Sequence, residues 1–252
     1  MKNFVRNYWK TILFFMLIGL VGGFFTGIYM LDSYPVELQQ QILEQGITKP
    51  ILGLVSALQS AGYGLVCGAL GILLGKKTGL WKDERAITRQ PLVAAFVVAV
   101  VGGLALILLD ILYFGRFNQA IMDSYAAKPT LTYILAAVLY GGVMEEVMLR
   151  LFMMSLIAFL LHQLFERKRQ QPSTAILVAA NVIAALLFAA GHLPATAAFM
   201  GLTPMIVFRC FLLNGGIGLL FGWLYRKFGL RYAMIAHGGC HVVSKLIWIL
   251  FV

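Results

Sequence analysis

Long apolar runs without any charged residue alternate with short charged segments along the chain. Residues 11–31, 50–75 and 90–109 contain no Asp, Glu, Lys or Arg. A transmembrane helix needs about 20 predominantly apolar residues. Each of these runs therefore predicts one membrane span.

Four further apolar runs follow, and unlike the first three they contain or adjoin ionisable residues. They are residues 130–162, 173–191, 210–225 and 232–252. Pro194 predicts that the fifth helix ends close to His192, because the residue before a proline disfavours helical geometry. The pattern predicts an all-α polytopic membrane bundle of seven transmembrane helices, with an eighth only if residues 193–208 form a re-entrant segment.

The composition of the chain excludes a soluble globular monomer. Of its 252 residues 61% are hydrophobic and only 12% charged, with a mean hydropathy of +0.87, whereas soluble domains carry about 25% charged residues. The net charge of +10 comes from short basic clusters between apolar runs, which is typical of cytoplasmic loops. We therefore expect the lipid bilayer, and no nucleic acid, as a partner.

Basic residues accumulate at the N-terminus and in alternate loops. They are Lys2, Arg6 and Lys10, then Lys76, Lys77, Lys82, Arg85 and Arg89, then Arg167, Lys168 and Arg169, and finally Arg226, Lys227 and Arg231. Since Lys and Arg mark cytoplasmic loops, the pattern predicts a cytoplasmic N-terminus, and we expect an integral protein of a bacterial plasma membrane. The first run is too long for a signal peptide and no small-x-small site follows it, which predicts an uncleaved anchor.

Two carboxylates and a guanidinium lie within two turns of the fourth apolar run. Charges at bilayer depth cost about 2.5 to 3.5 kcal/mol each and usually mark a site or a pair. Glu146 and Arg150 are four residues apart and share one helix face, which predicts a buried ion pair that supports the structure. Glu145 points about 100° away and has no local partner, so it is the candidate general base. A purely structural network of all three residues is the alternative.

Three histidines lie in or beside the remaining apolar runs of the second half. His237 and His241 are four residues apart and project from one helix face, while His192 follows the fifth run. With Glu145 they predict a convergent site inside the membrane. The spacing of His237 and His241 also suits a zinc site of the His-Glu-x-x-His type, but Gly238 stands where that motif has its Glu.

These residues form three motifs in a fixed order. They are Glu145-Glu146-x-x-x-Arg150, Phe188-x-x-x-His192 and His237-x-x-x-His241. As a set they resemble the CPBP intramembrane proteases, which include the CAAX prenyl endopeptidases and the bacterial Abi and lysostaphin-resistance-like proteins. The resemblance covers about residues 130–250. It divides one integrated membrane domain into a three-span region, 1–128, and a catalytic helical core, 129–252.

The resemblance implies hydrolysis of a peptide bond of a peptide or membrane-associated protein inside a membrane cavity. It assigns water activation to Glu145 and His192, and stabilisation of the oxyanion to His237 with the residue four positions on. That residue is Asn in many members of the family and His241 here. The resemblance favours a metal-free glutamate mechanism without a cofactor. Zinc is the alternative, with Glu145, His192, His237 and His241 as its ligands, as in a metalloprotease.

Two other functions remain open from the residues alone. Intramembrane Glu, Arg, His and Lys residues also suit a proton-coupled transporter, although transporters often repeat broken helices in both halves and the first half here is nearly free of charge. A catalytically inactive membrane scaffold or immunity protein is the other alternative.

The expected depths of the site residues in the membrane conflict with one another. Counting about 1.5 Å per residue from the predicted loop edges puts His192 near the outer face and His237 near the inner face, with Glu145 between them. The simple count therefore does not bring the three side chains to one depth. Tilted helices, a re-entrant segment around residues 193–208 or misplaced span ends would resolve the conflict with the convergent site.

Overall fold

The computed structural model describes residues 2–83 and 86–252, and these ranges form a helix bundle that contains no strand. Seven of its helices are long and apolar enough to cross a membrane, which confirms the predicted all-α polytopic fold. Arg85, one of the basic loop residues, lies outside the described residues. The helices are α1 (Lys2–Ser33), α2 (Val36–Glu44), α3 (Lys49–Thr78), α4 (Arg89–Leu112), α5 (Gln119–Asp123), α6 (Leu131–Phe165), α7 (Thr174–Met200), α8 (Pro204–Phe228) and α9 (Leu230–Phe251).

The predicted helix end at Pro194 is wrong, and so is the re-entrant segment over residues 193–208. Helix α7 continues through Pro194 to Met200, and α8 begins at Pro204. Side chains supply hydrogen bonds to carbonyls in the affected turns: His192 Nδ1 donates to Phe188 O at 2.8 Å and Thr196 Oγ1 donates to His192 O at 2.8 Å. Neither bond reaches the carbonyl of Ala190, which is the one that loses its backbone donor at Pro194, and the helix continues without that bond.

Glycines bring the backbones of α1 and α3 into direct contact. A Cβ added at Gly19 would lie 2.6 Å from Ser60 O, and one at Gly23 would lie 2.5 Å from Ser56 O. In lipid, helices associate through close packing of small residues rather than through the hydrophobic effect. The first two spans, α1 and α3, therefore form a tightly packed pair in the bundle.

Helix α6 lies at the centre of the bundle and packs against α1, α3, α7, α8 and α9. Its middle is wound as a π-helix over Ala136–Glu145 and again over Val147–Met154. Such wider turns are rare and frequently accompany functional sites. The two carboxylates and the guanidinium of the fourth apolar run all lie in or next to this irregular stretch.

A glycine pair sets the spacing between α6 and α9. A Cβ added at Gly142 would lie 2.6 Å from the Cα of Gly238, so position 142 has no room for a side chain, whereas a Cβ added at Gly238 would meet its nearest atom at 3.8 Å. Gly142 precedes Glu145 by three residues, and Gly238 directly follows His237. The absence of a side chain at position 142 therefore lets the two helices approach closely beside the carboxylate and the imidazole.

Candidate active site

The structure brings Glu145, His192 and His237 together from α6, α7 and α9. Glu145 Oε1 lies 4.0 Å from His192 Nε2, and Glu145 Oε2 lies 3.9 Å from His237 Nε2. The predicted conflict of depths is therefore wrong. Its cause is the wrong end of α7: because the helix continues past His192 to Met200, the imidazole lies inside the span rather than at its edge.

The orientation of His192 is fixed by its own helix. Its Nδ1 donates a hydrogen bond to the carbonyl of Phe188, one turn earlier, at 2.8 Å. A carbonyl oxygen only accepts hydrogen bonds, so the proton is on Nδ1 and in the neutral ring Nε2 is an acceptor. The ring also contacts the ring of Phe188 edge to face, with centroids 4.7 Å apart. Nε2 is thereby directed toward Glu145.

His237 is held by a carboxylate from another helix. Its Nδ1 donates to Glu146 Oε1 at 2.9 Å, and its ring stacks on Phe221 with centroids 4.4 Å apart and an interplanar angle of 21°. His237 is buried, with 5% of its surface exposed. These contacts leave Nε2 as the ring nitrogen that faces Glu145.

Glu146 has two partners and no contact with solvent. Arg150 Nη1 lies 3.4 Å from Glu146 Oε1, the same oxygen that accepts from His237. Arg150 Nη2 donates to Gly218 O at 2.9 Å, and the side chains of Glu146 and Arg150 are at most 1% exposed. Sequence spacing could predict the pairing with Arg150, whereas the bond to His237 joins residues 91 positions apart and leaves no local signal.

His241 lies one turn beyond His237 and stacks on it, with ring centroids 5.0 Å apart. The ring fits against the backbone of α6 because position 141 is a glycine: a Cβ added at Gly141 would lie 2.8 Å from His241 Nε2. Within residues 2–83 and 86–252, His241 Nδ1 is buried without a hydrogen-bond partner. This imidazole therefore has hydrogen-bonding capacity that no protein group uses.

All four residues line one cavity of about 590 Å³, here called the site cavity. A second cavity of about 650 Å³, the loop cavity, reaches the loops at the end of the bundle where Asp32, Asp123 and Lys128 lie. The two cavities share lining residues on five helices: Tyr29, Leu106, Tyr133, Phe199 and Arg209. They therefore adjoin each other within the bundle.

The boundary between the two cavities contains charged groups that sequence reasoning did not assign to the site. Arg209 Nε and Nη2 donate to the two carboxylate oxygens of Asp110 at 2.6 and 2.5 Å, and Tyr125 also donates to Asp110 at 2.9 Å. Lys245 lines the loop cavity. The sequence does contain a signal for these charged groups: Asp110 and Arg209 directly flank apolar runs, and Lys245 lies within one.

The atoms around Glu145 are of the types that bind zinc, but the structure does not arrange them as a metal-binding site. Two imidazole Nε2 atoms and a carboxylate form the donor set of His₂Glu zinc sites, and the Nδ1 atoms of His192 and His237 have the hydrogen-bonded partners that zinc-binding histidines usually have. Among the described residues, however, no group of three or more His, Cys, Asp and Glu side chains is arranged to hold a metal ion.

Comparison with known families identifies the class of this protein. Residues 127–243 match the family described as type II CAAX prenyl endopeptidase Rce1-like. No curated protein and no solved structure shows a significant match to the chain. The matched segment contains all three motifs, from Glu145 to His241, and confirms the resemblance that they carry.

Its seven membrane-capable helices make the protein an integral membrane protein. Over residues 127–243, a little less than half of the chain, it is similar to the CAAX protease family. That family acts on protein or peptide substrates in a membrane setting.

Proposed function

We propose that this protein is an intramembrane endopeptidase in which Glu145 and His192 activate a water molecule that attacks a peptide bond. The observation that supports this assignment is the carboxylate of Glu145, which faces the Nε2 atoms of both His192 and His237 in the site cavity. The substrate is a peptide or a membrane-associated protein whose scissile bond enters that cavity.

The gap between Glu145 and His192 suits one water molecule. A separation of 4.0 Å is too long for a direct hydrogen bond, but a water oxygen at about 2.8 Å from each atom bridges it. Both atoms accept hydrogen bonds, because His192 Nδ1 already carries the ring proton. The water donates one hydrogen to each, Glu145 takes the proton as general base, and the oxygen attacks the carbonyl carbon.

His237 and His241 face the negative charge that develops on the carbonyl oxygen in this mechanism. Because His237 Nδ1 donates to Glu146, its Nε2 donates to an oxyanion only when the ring is doubly protonated. Glu146 then supplies the counter-ion, and the ring of Phe221 stacks on the imidazole of His237. His241, stacked beside it, supplies a second donor.

Breakdown of the tetrahedral intermediate completes the reaction. The carbon–nitrogen bond breaks, and the proton taken up by Glu145 passes to the leaving amine nitrogen. Glu145 returns to its carboxylate form, so the same residue serves first as base and then as acid. Neither step needs a co-reactant other than water.

We favour this metal-free mechanism because the site has a single carboxylate available as a base. In the zinc alternative, Glu145, His192, His237 and His241 would hold the ion, which would supply Lewis-acid activation of the water. Glu145 is then a ligand, and the neighbouring Glu146 is already engaged by Arg150 and His237. No second carboxylate of this group remains to accept the proton.

Cleavage of a defined peptide mixture by the purified protein in lipid nanodiscs tests the proposal. We expect Glu145→Gln to lower the cleavage rate by about 10² to 10⁴-fold while the protein keeps its elution volume and helical spectrum. Glu44→Gln, on the exposed end of α2, is the matched control and keeps the wild-type rate. Full activity of a folded Glu145→Gln variant contradicts the proposed function.

A further inference from the structure

Lys245 is a buried cation without a carboxylate partner. Its side chain lies on α9 and is 8% exposed. Its Nζ donates to the hydroxyl of Tyr133 at 3.0 Å and lies 4.3 Å from the centroid of that ring. Among the described residues no Asp or Glu oxygen lies within 4.0 Å of it. An ammonium has three donors, and the described contacts use one of them.

The nearby carboxylate of Asp110 is already engaged. It receives two hydrogen bonds from Arg209 and one from Tyr125, so its charge is neutralised by a guanidinium rather than by Lys245. The other acidic residues of the loop cavity lie at its rim, where Asp32 pairs with Lys49 and Asp123 is solvent-exposed. Within residues 2–83 and 86–252, no carboxylate therefore compensates the positive charge of Lys245.

Lys245 lies on the same face of α9 as the two candidate oxyanion residues. His237, His241 and Lys245 follow one another at four-residue spacing, which aligns them along the helix. The first two line the site cavity and the third lines the loop cavity. At about 1.5 Å per residue, Lys245 is about 12 Å from His237 along the axis, a distance that a few residues of extended peptide cover.

We propose that Lys245 forms an anion-binding subsite that receives a carboxylate of the peptide substrate. A buried unpaired charge is costly in a membrane and usually marks a site for an oppositely charged group. The proposal rests on the proposed function, since the ligand is the substrate of that same site. The carboxylate is either the C-terminal group of the peptide or an Asp or Glu side chain a few residues from the scissile bond.

Binding to the Glu145→Gln variant tests this subsite without any turnover. The probes are three short peptides: N-acetyl-tetra-alanine with a free carboxylate, its C-terminal carboxamide, and a carboxamide of the same length with one internal glutamate. Trp248 lies beside Lys245 and lines the loop cavity. Its fluorescence reports binding, and Trp248→Phe gives the background from the other tryptophans. The variants compared are Lys245→Met, Lys245→Arg and, as the matched control, Lys128→Met, which removes an exposed lysine of the same cavity.

We expect at least one of the two carboxylate probes to bind about tenfold more tightly than the simple carboxamide. The preferred probe identifies the source of the carboxylate. Lys245→Met abolishes the preference, while Lys245→Arg and Lys128→Met retain it, and size-exclusion elution shows that the variants are folded. Equal binding of all three probes, absence of binding, or a preference that survives Lys245→Met contradicts the subsite. Because Glu145 is already replaced, these outcomes are independent of the cleavage test.

Discussion

The Glu146→Gln substitution tests the structural and the catalytic contribution of this buried carboxylate together. The substitution keeps the shape of the side chain and removes its charge. Glu146 accepts a hydrogen bond from His237 Nδ1 at 2.9 Å and lies 3.4 Å from Arg150 Nη1. The variant therefore leaves the guanidinium of Arg150 buried without its counter-ion and His237 without its charged acceptor.

The size of both effects follows from the burial of the pair. Since the side chains of Glu146 and Arg150 are at most 1% exposed, water does not replace the lost contact, and removal of one partner of a buried pair costs about 3 to 5 kcal/mol. A displacement of the His237 ring by about 1 Å lowers the rate by about 10²-fold. We therefore expect a large loss of both stability and activity in Glu146→Gln.

A double variant distinguishes these two contributions. Glu146→Met combined with Arg150→Met replaces the ion pair by apolar groups of similar length, which is often neutral for stability. We expect the unfolding free energy in mixed detergent micelles to return to within about 1 kcal/mol of wild type, while peptide cleavage stays about 10²-fold lower because His237 still lacks its acceptor. Recovery of cleavage together with stability refutes the positioning role of Glu146.

Three further predictions concern the glycine contact, the oxyanion residues and the topology. Gly142→Ala destabilises the bundle by about 1 to 3 kcal/mol and lowers the cleavage rate, because its Cβ would lie 2.6 Å from the backbone of α9. Gly62→Ala is the control, because a Cβ there meets nothing within 4 Å, and it leaves the unfolding free energy and the cleavage rate unchanged in the same assays. His241→Asn keeps the cleavage rate within about tenfold of wild type, because its amide also donates to an oxyanion, and a larger loss argues against the oxyanion role. With a cytoplasmic N-terminus, a membrane-impermeant maleimide labels Asp123→Cys in intact cells and Lys168→Cys only after permeabilisation, and the reverse pattern contradicts the orientation.

The membrane spans could be predicted from the sequence because their signal is local. An apolar run of about 20 residues between charges specifies a span by itself, and all seven predicted spans are present. Pro194 misled the prediction of the end of α7 for a physical reason. A proline removes one backbone hydrogen bond and need not end a membrane helix, and α7 continues through Pro194 to Met200.

The residues of the candidate site were accessible to sequence reasoning, but their mutual geometry was not. Ionisable groups in apolar runs are candidates for function because they are costly in lipid. This argument led to Glu145 and the three histidines. The contact between Gly142 and Gly238 and the bond from His237 to Glu146 join distant parts of the chain. Such contacts depend on how the helices pack, so a single sequence carries no periodic signal for them.

The metal content of the active protein tests the proposed mechanism most directly. Zinc in the purified protein is determined by elemental analysis before and after treatment with a chelator, and peptide cleavage is measured on the same samples. The metal-free mechanism predicts that cleavage continues at the wild-type rate in the chelated sample and is lost in Glu145→Gln. One zinc per protein, removed together with the activity and restoring it when added back, contradicts that mechanism and makes Glu145 and the histidines metal ligands.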